Sequence, residues 1–256
     1  MSQTLQCVGL DSVPLIEPGD DLAEIIASLT ACQIPNLAQG AILVLAQKVV
    51  SKAEGRQVDL QSVAPGAEAR ALAEKTGKDP RLVELILAES RSIVRTRPGL
   101  IIAEHRSGHI LANAGIDASN IPHEPGTQSV LLWPKDPDAS AQSLAIKLSQ
   151  ALGFPVPVVI SDSAGRPWRL GTVGFAIGCY GLEPIWDQVG EQDLFGREMV
   201  VTAPAVADAL AAAASLVQGE TNQGRPAVWV TGFAARLSER ANSRDLLRPA
   251  PGDLFR

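Results

Sequence analysis

The run Val159-Ile160-Ser161-Asp162-Ser163-Ala164-Gly165-Arg166-Pro167-Trp168-Arg169 begins as an apolar β-branched strand and meets a hydroxyl and a carboxylate at its end. The Gly-Arg-Pro-Trp-Arg segment that follows favours neither strand nor helix, so the sequence predicts a strand that stops at Ser161 and opens into a loop. Asp and Ser oxygens suit a hard cation such as Mg²⁺ or Mn²⁺, while two guanidinium forks and an indole suit a planar anionic ligand. The alternative is a strand-end Asx turn beside two solvated arginines. Just upstream, residues 136 to 152 read as a capped helix ending at Gly153, with Leu144, Leu148 and Leu152 at four-residue spacing. A helix feeding back to an apolar strand from Val156 to Ile160 indicates layered α and β structure. Strands and helices alternate too irregularly for a doubly wound sheet.

Working towards the N-terminus, Ala41-Ile42-Leu43-Val44-Leu45-Ala46 is a wholly apolar run after Gly40, as expected of a strand covered on both faces. It leads into Gln47-Lys48-Val49-Val50-Ser51-Lys52-Ala53-Glu54-Gly55-Arg56, read as a Gly-containing loop. Hydroxyl, cation and backbone donors together are what a phosphate needs, although a solvated turn has the same composition. Asp21, three positions before Glu24, caps a predicted amphipathic helix carrying Leu22, Ile25, Ile26 and Leu29 on one face. Residues 66 to 90 read as two helices, one ending at Gly77 and one opened by Asp79-Pro80. Short strands are expected at Ile93-Val94-Arg95 and Leu100-Ile101-Ile102-Ala103. His105 and His109 are four apart, but the intervening Ser107-Gly108 favours a β-turn over a helical metal pair.

In Leu111-Ala112-Asn113-Ala114-Gly115-Ile116-Asp117-Ala118-Ser119-Asn120, small residues allow close backbone approach and four side chains offer oxygen or amide groups. Such a loop suits a metal and a nucleotide, or is simply a polar turn. Pro122, Pro125 and Gly126 extend it before a strand restarts at Ser129 to Trp133. Downstream, residues 171 to 178 are glycine-rich without matching a dinucleotide or Walker pattern, and read as a strand against which another backbone packs. Met199-Val200-Val201 is a further strand candidate. The alanine-rich segment from Pro204 to Leu216 predicts a closely packed helix terminated by Gly219, which leaves Glu220 in the loop. A strand follows from Pro226 to Val230, and after Phe233 the tail is weakly patterned, either a docking helix or disordered.

The 256 residues are 46% hydrophobic, 20% charged and only 4% aromatic, so the core must be built mainly from Ala, Val, Leu and Ile, in one large domain or two small ones. A net charge of −6 argues against nucleic-acid binding by general electrostatics. Any anionic ligand therefore needs a local basic pocket or a metal. Three widely spaced cysteines, Cys7, Cys32 and Cys179, suggest buried free thiols in a reducing compartment. With no basic residue before Lys48 and no apolar run of membrane-spanning length, the expectation is a cytoplasmic chain without a membrane partner.

Three of these stretches, taken in order, resemble the coenzyme F420-0:L-glutamate ligase (F420-0 gamma-glutamyl ligase) family: Ser51-Lys52-Ala53-Glu54-Gly55-Arg56, Ala112 to Asp117 with Ser119-Asn120, and Ser161-Asp162-Ser163 with Gly165 to Arg169. The similarity runs from about residue 5 to residue 235, leaving 236 to 256 as a tail on a single ligase domain. The resemblance implies an α+β fold of mixed sheets and packed helices without a P-loop, assembled as a homodimer. It also implies addition of L-glutamate to coenzyme F420-0 through γ-linked amide bonds by way of an acyl phosphate. GTP would be the cosubstrate, with Mg²⁺ or Mn²⁺ at two sites and K⁺ as a further ion.

Carried onto this sequence, the metal ligands would be Asp117, Asp162, Ser163, where the family often has Thr, and Glu220. Asp117, Asp162 and Lys52 would be the catalytic groups. The nucleotide contacts would be Val13, Pro14, Leu15, Ile16, Gln47, Lys48, Lys52 and Asn120, with Gln218, Gly219, Glu220, Thr221, Asn222, Gln223, Gly224 and Arg225. Arg166 and Arg169 would grip carboxylates or phosphates of the acceptor. Two departures bear on the acceptor: Ala164 replaces a bulkier, commonly aromatic residue, and Cys179-Tyr180 is bulkier than the family's small pair. They leave open an amide ligase for another acidic acceptor; a nucleotide-binding relative without ligase activity is the other competing reading.

Overall fold

A computed structural model describes residues 4–121 and 127–254 of the chain; the loop expected at Pro122, Pro125 and Gly126 lies outside the described residues. Its centre is a five-stranded mixed sheet in the order β1-β10-β2-β8-β9. These strands are β1 (Gln6–Gly9), β2 (Ile42–Ala46), β8 (Val158–Arg166), β9 (Arg169–Tyr180) and β10 (Ala227–Thr231). Only β2 and β8 run parallel, in a register that sets Ala46, the last residue of β2, beside Ser161 in the middle of β8. The period-2 geometry of a strand explains how the apolar run of β2 is buried on both sides. Leu43 and Leu45 face one core with Val158, Ile160 and Trp229, while Ile42 and Val44 face the other with Val159, Val228 and Val230.

Helices cover both faces. On the first lie α1 (Leu22–Gln33), capped by Asp21, whose carboxylate accepts from the backbone N–H of Ala23 and Glu24, and α5 (Pro137–Leu152), which buries Ala141, Leu144, Ala145 and Leu148. On the second lies α6 (Val206–Gln218), which presents Ala207, Ala211 and Ala214. Small residues on α6 and glycines on β9 serve one purpose. A Cβ at Gly174 would stand 2.5 Å from Ala211 O, and one at Gly178 would stand 2.4 Å from the backbone of Pro137. The glycine-rich strand is thus what lets α6 and α5 approach the sheet from opposite sides.

A second layer of structure adjoins this sheet. Helices α3 (Ala67–Thr76) and α4 (Pro80–Glu89) share a core with the sheet β4 (Ser90–Arg97), β5 (Leu100–His105) and β6 (Ile110–Ala112), and with the pair β3 (Gln57–Asp59) and β7 (Ser129–Leu131). The turn expected at Ser107-Gly108 joins β5 to β6, with Gly108 N donating to His105 O at 2.8 Å. The α+β class expected from the resemblance is the one observed, and no helix among the described residues is long and apolar enough to cross a membrane.

Several expectations are corrected. The β8 strand does not stop at Ser161. It continues to Arg166, because β9 supplies a complete antiparallel partner from Ser161↔Ala176 to Gly165↔Thr172, and only Pro167-Trp168 forms the turn. The segment after β2 is not a loop but the helix α2 (Gln47–Ala53), whose Gln, Lys and Ala are sound helix formers. Met199-Val200-Val201 is not a strand: Val200 and Val201 are exposed, and the segment is held to residues 188–192 by single backbone hydrogen bonds and the isolated bridge Gln192↔Glu198 rather than by a ladder. Of the three thiols only Cys179 is buried; Cys32 is exposed. The tail docks as a 3-10 turn, Ser243–Leu246, rather than as an α-helix. There the buried Ser243 hydroxyl lies 3.0 Å from both Asp138 Oδ2 and Ile177 O.

Candidate active site

The carboxyl end of β2 and the middle of β8 open onto a cavity of about 300 Å³. Four segments form most of its wall: the Val13–Ile16 loop after β1, the Ala46–Lys52 stretch that starts α2, Ser161-Asp162-Ser163 in the middle of β8, and the loop after α6 from Gln218 to Pro226; Asn120, Gly174 and Ser215 complete it. A β-bulge between Ile160 and Ser161, opposite the extra residue Ile177, marks the point where β8 leaves the core for the cavity. Bulges re-aim side chains. This one sits immediately before the Ser-Asp-Ser motif.

Asp162 is held by two neutral donors. The Trp133 indole N–H donates to Oδ2 at 2.7 Å, and the Ser163 backbone N–H donates to Oδ1 at 2.8 Å. Burial pushes its pKa up to about 6 against the lowering effect of those hydrogen bonds. Asp117 is the opposite case. Burial works to raise its pKa, but Lys48 Nζ at 2.6 Å from Oδ2, with Ser119 N–H and hydroxyl at 2.8 Å, holds it below the usual carboxylate range.

Lys48 also donates to the Ser119 hydroxyl, and Lys52 Nζ donates to Asn120 O at 2.7 Å. Burial, with Lys48 nearby, lowers the Lys52 pKa. Asn120 takes a left-handed φ of 54°, which Asn tolerates, and donates its amide to Thr221 O at 3.1 Å. Two lysines on one helix are therefore tied to the 117–120 loop, and that loop is tied to the loop after α6.

Most of the residues expected to bind nucleotide are brought together. Val13, Pro14, Leu15, Ile16, Gln47, Lys48, Lys52, Asn120, Gln218, Gly219, Glu220, Thr221, Asn222, Gly224 and Arg225 all line the cavity. Gln223 stands behind the wall, accepting from Thr221 N–H at 2.9 Å. Gly219 ends α6 with φ +72°, where a Cβ would meet the Gln223 side chain at 2.3 Å. Gln47 is buried with its amide nitrogen unpartnered, a donor left for a ligand.

Of the expected metal ligands, Asp162, Ser163 and Glu220 line the cavity, and the Ser163 hydroxyl donates to Glu220 Oε2 at 2.9 Å. Asp117 stands just outside the wall, joined to it through Lys48. Among the described residues no three His, Cys, Asp or Glu side chains converge as a metal cluster. The oxygen groups are instead paired, Ser163 with Glu220 and Asp117 with Lys48. Arg166 and Arg169 do not line the cavity; Arg166 donates to Gly171 O at 3.3 Å across its own hairpin. Ala164 and Tyr180 are also absent from the wall, and Tyr180 faces a separate groove with Phe154.

As site residues, sequence reading missed Trp133 and, on the wall, Ala46, Val49, Gly174, Ser215 and Pro226. Trp133 reaches Asp162 from the far end of β7's chain, and nothing in spacing or composition announces that contact. Val49 and Ser215 come into the wall simply because their helices do.

A sequence model of the F420-0:Gamma-glutamyl ligase family matches residues 11–232, which span all four walls of the cavity. The chain belongs to this family. Similar proteins include coenzyme F420:L-glutamate ligase of Methanothermobacter thermautotrophicus, 46% identical over 98% of this chain and 99% of the relative. The enzyme of the same name from Methanopyrus kandleri is 44% identical over the same shares. That of Archaeoglobus fulgidus is 39% identical over 96% of this chain and 94% of the relative.

Proposed function

We propose that the chain is a GTP- and divalent-metal-dependent ligase that joins L-glutamate to coenzyme F420-0 through γ-linked amide bonds. The observation that supports this most is the gathering of Lys48, Lys52, Asp162, Ser163 and Glu220 around one cavity in a chain whose relatives bear the ligase name. A carboxylate resists attack by an amine until one oxygen becomes a leaving group. Transfer of the GTP γ-phosphate to the acceptor carboxylate gives an acyl phosphate and GDP. Attack by the glutamate amine then forms the C–N bond, expels phosphate and releases a proton.

Phosphoryl transfer is chiefly positioning and charge neutralisation. Lys48 and Lys52 supply ammonium charge beside the phosphates, the Gln47 amide donates to a phosphate or sugar oxygen, and the 218–225 loop holds the nucleotide. The donor set fits Mg²⁺ or Mn²⁺: Asp117, Asp162, Ser163 and Glu220 offer oxygen only, and both hydrogen bonds to Asp162 come from neutral groups. Such an ion, when bound, would neutralise triphosphate charge. Two divalent sites, K⁺ as a further ion, a homodimer and a cytoplasmic setting belong to the same reading. Since neither Ala164 nor Tyr180 touches the cavity wall, no contact there favours a different acceptor.

The test is to incubate purified protein with GTP, Mg²⁺ or Mn²⁺, L-glutamate and the deazaflavin precursor and weigh the product by mass spectrometry. A gain of one or more glutamyl units is expected. Nucleotide binding without any gain in mass would replace this reading with that of a binding protein.

A further inference from the structure

Trp133 is fully buried, yet its indole reaches the cavity's central carboxylate. We propose that Trp133 is the positioning residue for Asp162, fixing the orientation of that carboxylate towards a divalent cation through a neutral donor; the inference rests on the metal-dependent reading above. A carboxylate oxygen has two lone pairs, and Trp133 Nε1–H at 2.7 Å and Ser163 N–H at 2.8 Å take one on each oxygen. The plane of the group is thereby set, and each oxygen keeps acceptor capacity for a ligand.

The choice of donor matters. An indole N–H donates without carrying charge, whereas Lys48 meets Asp117 as an ammonium. The two carboxylates are consequently held differently: among the described residues Asp117 is directly ion-paired, and Asp162 is hydrogen-bonded by neutral donors.

The indole cannot swing away, because it is clamped on every side described. Gly115, at φ +76°, leaves room for it where a Cβ would stand 2.4 Å from Nε1 and Cε2. His105 and His109 pack on it at ring separations of 4.9 and 5.5 Å, and Phe175 lies at 6.3 Å. The Trp133 carbonyl accepts from Arg56 Nε at 2.8 Å. The two imidazoles are themselves bridged, their Nδ1 atoms 2.8 and 2.9 Å from the one Ser107 hydroxyl. Burial lowers the His109 pKa to about 4, so at neutral pH that side of the clamp adds no charge. Hydrogen bonds that orient metal ligands commonly change metal affinity by about 10- to 100-fold when removed.

The experiment titrates Mn²⁺ into the full chain without nucleotide, reading free Mn²⁺ by electron paramagnetic resonance. It compares wild type, Trp133→Phe, and a variant with 3-benzothienylalanine at position 133, which keeps the bicyclic shape and replaces N–H with sulfur. Thermal melting is recorded for each. The expected result is Mn²⁺ affinity about tenfold or more weaker in the benzothienyl chain, with melting close to wild type and glutamate addition recovering as Mn²⁺ is raised. Wild-type Mn²⁺ affinity in a folded benzothienyl chain would overturn the positioning role alone. Absence of Mn²⁺ binding by the wild type would remove the metal reading and this inference with it. If Trp133→Phe fails to fold, the benzothienyl chain still decides.

Discussion

Lys52 and Glu89 show how differently a charge behaves on the cavity wall and behind it. Among the described residues Lys52 Nζ has the Asn120 carbonyl for a partner at 2.7 Å, and burial lowers its pKa, so its positive charge is stabilised little until an anion arrives. A hydrogen bond to a charged group is worth about 1.5–3 kcal/mol. Lys52→Ala is therefore expected to weaken GTP binding about tenfold or more while changing the KM for glutamate far less. Isothermal titration with GTP beside steady-state kinetics in glutamate checks this, and equal losses on both sides would contradict a phosphate role.

Glu89, by contrast, is buried behind the cavity, where it accepts from Arg56 Nη2 at 3.0 Å and pairs with Arg106. Burial works to raise its pKa, but His105 and the two guanidinium groups outweigh it and hold the carboxyl below the usual range. A group with a lowered folded pKa stabilises the fold fully above its unfolded value, about 4.3 for Glu, and that contribution is lost as pH falls through the folded value. Glu89→Gln should cost about 3 kcal/mol at neutral pH. In urea titrations the gap from wild type should narrow as the medium is taken below about pH 4. A gap independent of pH would show that packing, not charge, carries the effect.

At the scale of elements, the β8–β9 hairpin links the core to the site. Its glycines are fixed by the helices they face: Gly174 lies under Ala211 of α6, and Gly178 lies under Pro137 at the start of α5. Inserting a branched side chain between close-packed backbones typically costs about 1–3 kcal/mol. Gly174→Val and Gly178→Val are each expected to lower stability by that amount or more. Gly174 also lines the cavity, so Gly174→Val should impair glutamate addition beyond its effect on stability, whereas Gly178→Val should not. Melting curves and turnover measured at a temperature where both variants remain folded separate the two cases.

For the whole molecule, local signals were readable where one element decides its own structure. The Asp21 and Asp79 caps, the Gly77, Gly153 and Gly219 terminators and the two-faced apolar run of β2 all behave as their chemistry dictates. Long-range pairing was not readable. The sequence ends β8 at Ser161 because Gly165 and Pro167 break strands, but β9, which begins at Arg169, supplies a ladder that carries it to Arg166. Met199 to Val201 has strand composition, but only Met199 bonds the 190–191 backbone and no ladder follows. The site divides in the same way. Asp162, Lys52, Asn120 and the loop after α6 could be picked out from residue type and from family resemblance, whereas the Trp133 contact depends on Gly115 making room for an indole from another part of the chain.

One cavity, with Asp162 on its wall, is proposed to perform the glutamate addition. Lewis-acid stabilisation by a bound metal is worth several kcal/mol of transition-state energy, about 1000-fold in rate. The most direct measurement is glutamate addition by Asp162→Ala against wild type, with GTP and Mn²⁺ saturating and the fold of both verified by thermal melting. A folded variant with turnover reduced about 1000-fold is the predicted result; turnover near that of wild type would contradict the assignment of the site.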